Sequence, residues 1–200
     1  MPHDLFTIGH SNHNEDVFIK ILKHHHIDIV VDVRSTPFSR HNPQFNYDPL
    51  RNMLSQYKIQ YAFMGNELGA RRKERECYKN NQVDFNYVPF LPLFQAGIDR
   101  ILKGLNKFRI ALMCSEKEPL DCHRTILISR NIKWQNITIN HILGDGSLEP
   151  NQLTEKRLLD RLNIQPLLFD IKYDTKDLLE KAYDLRSHEI AYREHESTWL

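Results

Sequence analysis

Ile27-Asp28-Ile29-Val30-Val31-Asp32-Val33 is the stretch that decides the fold. It is nearly continuous in β-branched residues, broken only by Asp28 and Asp32. That is the pattern of a parallel strand covered on both faces. Upstream, Leu5-Phe6-Thr7-Ile8 reads as a short strand ending at Gly9, and Val17, Phe18, Ile21 and Leu22 recur at helical spacing between Glu15 and His25. Downstream, Asp48 is suited to cap a helix that starts at Pro49 and runs to about Tyr57, and Ile59 to Met64 reads as a third strand. Phe90 to Phe108 returns to a helical pattern, and Arg109 to Met113 forms a fourth strand. Thr125 to Ile132 is helical, and Ile137 to Leu143 is a fifth strand. The order βαβαβαβαβ predicts an α/β fold, an open and mostly parallel sheet of about five strands with helices on both faces in a Rossmann-like three-layer arrangement.

Two regions depart from that rhythm. From Gly65 to Val88 the periodicity fails, and Arg71-Arg72-Lys73-Glu74-Arg75-Glu76 with Asn80-Asn81 reads as a mobile, charged excursion in which Cys77 is incidental. Past Gly144-Asp145-Gly146 the pattern turns to helices, Thr154 to Leu162 and about Asp174 to His195, split by Pro166. Leu178, Leu179, Ala182, Leu185 and Ile190 give the second helix an apolar stripe. The chain therefore divides into an α/β domain over 1–149 and a helical extension over 150–200. The extension either packs on the domain, the favoured expectation, or pairs two copies as a homodimer.

Composition narrows the function classes. With 27 Lys+Arg against 26 Asp+Glu, no global basic field draws the chain to nucleic acid, although a local patch is compatible with this balance. Three cysteines, an odd count, argue against a secreted disulfide framework. Met1-Pro2-His3-Asp4 lacks the layout of a signal peptide, and no apolar run approaches the ~20 residues that span a bilayer. A cytoplasmic protein without membrane contact is expected.

In open parallel sheets, ligands bind beyond the carboxyl ends of the strands. Each predicted strand ends in polar or reactive groups: Gly9-His10-Ser11 after the first, and Asp32-Val33-Arg34-Ser35 with Ser39 beyond the second. Glu67, Gly69 and Arg71 follow the third, Cys114 ends the fourth, and His141 lies in the fifth. The run Cys114-Ser115-Glu116-Lys117-Glu118-Pro119-Leu120-Asp121-Cys122-His123-Arg124 gathers two thiols, carboxylates, an imidazole and a guanidinium in one loop, a density that packing alone does not require.

Three mechanisms suit that loop. Cys114 can be a thiolate nucleophile, with Arg124 and the amino end of the next helix holding an anion. Cys114, Cys122 and His123, with His10 or His141, can bind zinc or iron, although Cys-x7-Cys-His is not a standard zinc spacing and no metal ligand is assigned on it. Arg34, Arg71 and Arg124 can form a phosphate clamp beside buried thiols. Cys114, Asp32, Glu116, His123 and His10 are the catalytic candidates. Arg34, Ser35, Ser39, Glu67, Arg71, Cys122, Arg124 and His141 are the substrate-binding candidates. His10, Asp32, Arg34, Glu67 and His141 are expected to converge on the loop, and no cofactor is assigned.

These segments also carry a resemblance. Thr7-Ile8-Gly9-His10-Ser11, Asp32 to Ser39, Asn42-Pro43-Gln44-Phe45, Leu68-Gly69 with Arg71, Ala111 to Glu116, Cys122-His123-Arg124, and His141-Ile142 with Asp145-Gly146 resemble the signature of the domain of unknown function 488 family. The resemblance covers about Leu5 to Gly146 and implies a fold and a site more firmly than a reaction. Ala70 departs from it, because the family usually has a second glycine there. The leading expectation is an enzyme acting on a phosphorylated, nucleotide or nucleic-acid substrate. The competing expectations are a binding module that uses Arg71-Arg72-Lys73 with Tyr78, Phe85 and Tyr87, and a Cys/His metal-binding protein.

Overall fold

The computed structural model describes residues 3–133, 135–165 and 175–194. The first half runs β1 (His3–Gly9), α1 (Glu15–His24), β2 (Ile29–Asp32), α2 (Tyr47–Gln56), β3 (Gln60–Phe63) and the short α3 (Gly65–Leu68). A hairpin of β4 (Tyr78–Lys79) and β5 (Gln82–Val83) precedes α4 (Pro92–Leu105) and β6 (Ile110–Cys114). A π-helical segment, Arg124–Ser129, runs into α5 (Arg130–Ile132). Then come β7 (Ile137–Ile142), β8 (Leu148–Pro150), α6 (Asn151–Arg161) and α7 (Thr175–Ile190).

The main sheet has the order β3-β2-β6-β1-β7-β8. Five strands are parallel, and β8 adds an antiparallel edge that the periodicity did not predict. Its three residues are too short for a pattern to emerge, and it returns on β7 through a tight turn in which Gly146 adopts φ 87°.

Side chains alternate across the sheet, so each strand feeds two cores. Phe6, Ile8, Val30, Ala111 and Met113 pack under α1 and α2 with Phe18, Leu22, Leu50 and Leu54. Leu5, Val31, Ile110, Leu112 and Cys114 face the other side, with Phe94 and Ile101 of α4, Ile126 to Ile128, and Leu158 of α6. This is the three-layer α/β arrangement, with α1 and α2 on one face and α4, the segment after β6 and α6 on the other.

Two local expectations are corrected. α2 begins at Tyr47, so Asp48 falls in its first turn; Asn46, the residue before the helix, accepts the Ser39 amide at 2.6 Å. The stretch from Gly65 to Val88 is not a loose excursion, because Cys77, Val83, Phe85 and Val88 are buried in the second core and Arg72 is buried too. Its elements of two to four residues are too short to show periodicity. Ala70 is absent from the residues with positive φ, so alanine fits the backbone there without strain.

The C-terminal helices pack within the chain. Leu179, Ala182, Tyr183 and Ile190 of α7 face the second core, while Leu185 is 44 % exposed and turns outward from the predicted stripe. Arg130 joins the two parts through Glu180 and Asp184, each at 2.7 Å. The predicted break at Pro166 and helix ends at Asp174 and His195 lie outside the described residues. No described helix is long and apolar enough to cross a membrane.

His141 lies inside this scaffold. Its ring joins Thr7 Oγ1 at 2.8 Å and Asn151 Oδ1 at 3.0 Å, linking β7 to β1 and α6. Burial, aided by the charge of Arg124, holds its pKa down to about 4 from 6.5. The unfolded chain takes up a proton below pH 6.5 and the folded chain does not until about 4. Its effect on stability is therefore absent above the unfolded value and grows as pH falls through this window, at about 1.4 kcal/mol per pH unit. Urea denaturation between pH 7.5 and 4.5 should show a shallower decline in stability for His141→Gln than for the native chain; identical slopes would contradict the assignment.

Candidate functional site

β6 lies between β2 and β1, so the loop after Cys114 leaves the middle of the sheet's carboxyl edge. It bends at once over the end of β1: the amides of His10 and Ser11 donate to the carbonyls of Cys114 and Ser115 at 2.9 and 3.0 Å. Gly9 makes that approach feasible, since a Cβ there would stand 1.9 Å from the Glu116 carbonyl oxygen. Arg124 fastens the loop from below. It is fully buried, and its guanidinium donates to the carbonyls of Glu116 (2.6 Å) and Lys117 (3.3 Å) and to Thr7 Oγ1 (3.3 Å). No carboxylate among the described residues pairs with Arg124.

The clamp folds the loop so that residues eight apart in sequence meet. Cys114 Sγ lies 3.6 Å and Cys122 Sγ 3.8 Å from His123 Nδ1. The same sulfurs lie 2.8 and 3.1 Å from Glu116 Oε2. Glu116 is an exposed residue whose carboxyl end is turned inward onto the buried thiols. The other ring nitrogen of His123, Nε2, sits 3.0 Å from the Val33 carbonyl, to which it can only donate. That leaves Nδ1 directed at the sulfurs.

Charge in the cluster is shared. The two thiols titrate as a unit. Interaction with Cys122, followed by burial, raises the pKa of Cys114. For Cys122, burial is outweighed by Cys114, Arg124 and His123, and its pKa is lowered. Burial and then Cys122 raise the carboxyl of Glu116. Cys122 raises His123 against the effect of burial.

A second cluster lies under the other face. Arg34 meets Asp32 through two contacts, Nε to Oδ1 at 2.9 Å and Nη2 to Oδ2 at 2.6 Å, and also donates to the Phe45 carbonyl at 2.7 Å. Tyr61 OH donates to Asp32 Oδ2 at 2.9 Å. His10 stacks on Phe45 at 4.4 Å and lies with Nε2 3.1 Å from Arg34 Nη1. Burial, then Arg34, hold the His10 pKa down to about 4, so the ring is neutral and accepts from the guanidinium.

Between the loops after β2 and β6 opens a pocket of about 290 Å³. Arg34, Ser35, Thr36, Phe38, Ala70 and Arg71 form one wall, and Cys114, Ser115, Glu116 and His123 the other. Ser35 Oγ accepts the Arg71 amide at 2.8 Å, and the Arg71 guanidinium lies over the Tyr192 ring at 4.9 Å.

The expected convergence is therefore partial. Of His10, Asp32, Arg34, Glu67 and His141, only Arg34 lines the pocket. Strand alternation puts Asp32 under α1 and α2, with His10 beside Arg34, while His141 sits under the opposite face with Thr7. Glu67 faces Arg100 at 3.3 Å, and Ser39 accepts the amides of His41 and Asn42 within its own loop. Cys122 is in the cluster but off the pocket wall, and Arg124 is spent on backbone. The amino end of the following helix is closed too, because the Thr125 and Ile126 amides both donate to the Cys122 carbonyl. Sequence reasoning missed Thr7, Tyr61, Phe38 and Tyr192. Tyr61 was within reach of register logic, since β3 pairs with β2 and carries it on the same face as Asp32; Tyr192 gives no signal.

A family model described as Domain of unknown function DUF488 matches residues 15–130. No curated protein and no solved structure matches the chain.

Because Asp32 is fully buried against Arg34, Asp32→Asn should cost on the order of 3–5 kcal/mol by leaving a buried guanidinium uncompensated. Tyr61→Phe removes one hydrogen bond and should cost about 1 kcal/mol. Denaturant unfolding of both variants checks the ranking; equal costs would contradict it.

Proposed function

The chain belongs to the domain of unknown function DUF488 family, and on that footing we propose that it is an enzyme acting on a small phosphorylated, nucleotide-like substrate bound between the loops after β2 and β6. The observation that carries the reading is the composition of one pocket rim. Arg71 meets no carboxylate among the described residues and lines the same pocket as Phe38, which is 62 % exposed, opposite the thiol, carboxyl and imidazole of Cys114, Glu116 and His123. A cation suits a phosphate, an open aromatic face suits a base, and the Ser35 and Thr36 hydroxyls suit a ribose. Cys114, Glu116 and His123 are then the groups that act on the bound molecule. Arg34 positions the wall, with Asp32, Tyr61 and His10 holding it.

The alternative of a nucleic-acid binding module built on the 71–88 stretch has less support. Arg72 is buried and bound to carbonyls of Asn66 and Glu67, Phe85 is in the core, and Tyr78 OH donates to the Arg72 carbonyl. The aromatic surfaces that such a module needs are largely spent.

Calorimetric titration with a panel of nucleoside monophosphates tests the reading. At least one should bind, Arg71→Glu should weaken it about tenfold or more and flatten its salt dependence, and Phe38→Ala should weaken it by about 1–3 kcal/mol. Binding that is indifferent to Arg71→Glu would refute the pocket assignment.

A further inference from the structure

We propose that Cys114, Cys122 and His123 hold a zinc ion. Their ligand atoms, two Sγ and one Nδ1, all lie within 4.8 Å of one another, and all three residues are buried. Tetrahedral zinc with Zn–S of about 2.3 Å and Zn–N of about 2.0–2.1 Å has N···S edges near 3.6 Å. The observed separations are 3.6 Å from Cys114 and 3.8 Å from Cys122. Both N···S separations therefore match the edges of a tetrahedral zinc site.

The surroundings favour an ion over simple packing. A metal-binding imidazole characteristically donates its other N–H to a carbonyl or carboxylate, which orients the ring. His123 does this through Nε2 to Val33 at 3.0 Å. Two thiolates and one neutral imidazole select zinc over the harder divalent ions, and the pair of negative sulfurs would cancel the charge of the ion. Three protein ligands leave a fourth position, as in catalytic zinc centres. Glu116 Oε2 lies against both sulfurs, and Cys114 and His123 line the pocket. The sequence already offers these three residues as one possible metal set, but Cys-x7-Cys-His is not a standard zinc spacing, and only the folded loop shows their ligand atoms together.

The inference deepens the proposed function, in that Cys114 and His123 would then act on the bound molecule through the ion they hold, and it rests on that reading only for what the ion would act upon. The test uses the full chain, prepared without an affinity tag, reduced, stripped with chelator and titrated with Co²⁺ and then Zn²⁺. One Co²⁺ per chain should bind with thiolate charge-transfer absorption and the intense visible bands of tetrahedral cobalt, and Zn²⁺ should displace it. Cys114→Ser and Cys122→Ser should each weaken binding about a hundredfold, His123→Ala should weaken it comparably, and Cys77→Ser should leave it unchanged. The native cobalt spectrum decides even if a variant fails to fold. Absence of stoichiometric uptake, a spectrum without thiolate ligation, or uptake untouched by both cysteine variants would overturn the proposal. Nucleotide titration of the stripped protein separates the two readings: binding kept without metal uptake overturns only the zinc centre, and metal uptake without nucleotide binding overturns only the substrate.

Discussion

Arg124 is the residue on which the rest of the site depends. A guanidinium with no exposure is expensive to bury, and this one has no carboxylate among the described residues to offset the cost. Its charge is met instead by two loop carbonyls, the Thr7 hydroxyl and the thiol cluster just above. The dependence runs both ways. Without Arg124 the loop after β6 keeps only the His10 and Ser11 amide bonds to its first residues to hold it over β1, and without the loop Arg124 has nowhere to place its charge. Gly9 is the steric condition for this bargain, and the hydrogen-bonded line from Arg124 through Thr7 and His141 to Asn151 carries it across β1 and β7 into α6.

The same geometry explains what the sequence could and could not disclose. The β-branched run at Ile27 to Val33 and the helical spacing of Val17 to Leu22 are long enough for periodicity, so the sheet, its parallel sense and its two covered faces were legible. The rule that ligands gather at carboxyl ends led to the edge where this pocket opens, and Cys114, Glu116, His123, Arg34, Ser35 and Arg71 all line it. It could not say which face each side chain takes. Asp32 and Cys114 both end neighbouring strands, yet alternation turns one toward α2 and the other toward α4. Arg124 looked like an anion ligand because a charged residue in a reactive loop invites that reading; its partners are two carbonyls and the hydroxyl of Thr7 on another strand, a combination with no sequence signature. The 71–88 stretch looked loose because its order comes from two-residue strands and from the backbone of residues 192–194, which lie far along the chain.

A functional picture follows in two layers. Beneath the edge, two buried polar networks, one centred on Arg34 and Asp32 and the other on Arg124 and Thr7, hold the loops after β2 and β6 at a fixed separation. Above them, the pocket presents a cation and an aromatic ring on one wall and sulfur, carboxyl and imidazole on the other. Buried support below and open polar groups above is the arrangement that the proposed enzyme would require.

The most direct test of this account compares alkylation rates of Cys77, Cys114 and Cys122, resolved by mass spectrometry, in the native chain and in Arg124→Lys. All three thiols are buried, and Cys77 belongs to the 65–88 stretch, where its sulfur donates to the Glu74 carbonyl and not to any group of the loop, so it reports unfolding beyond the loop. Release of the loop should make Cys114 and Cys122 react about tenfold faster or more while Cys77 stays protected. Protection of all three, or their exposure together, would contradict the claim that Arg124 holds the loop and with it the site.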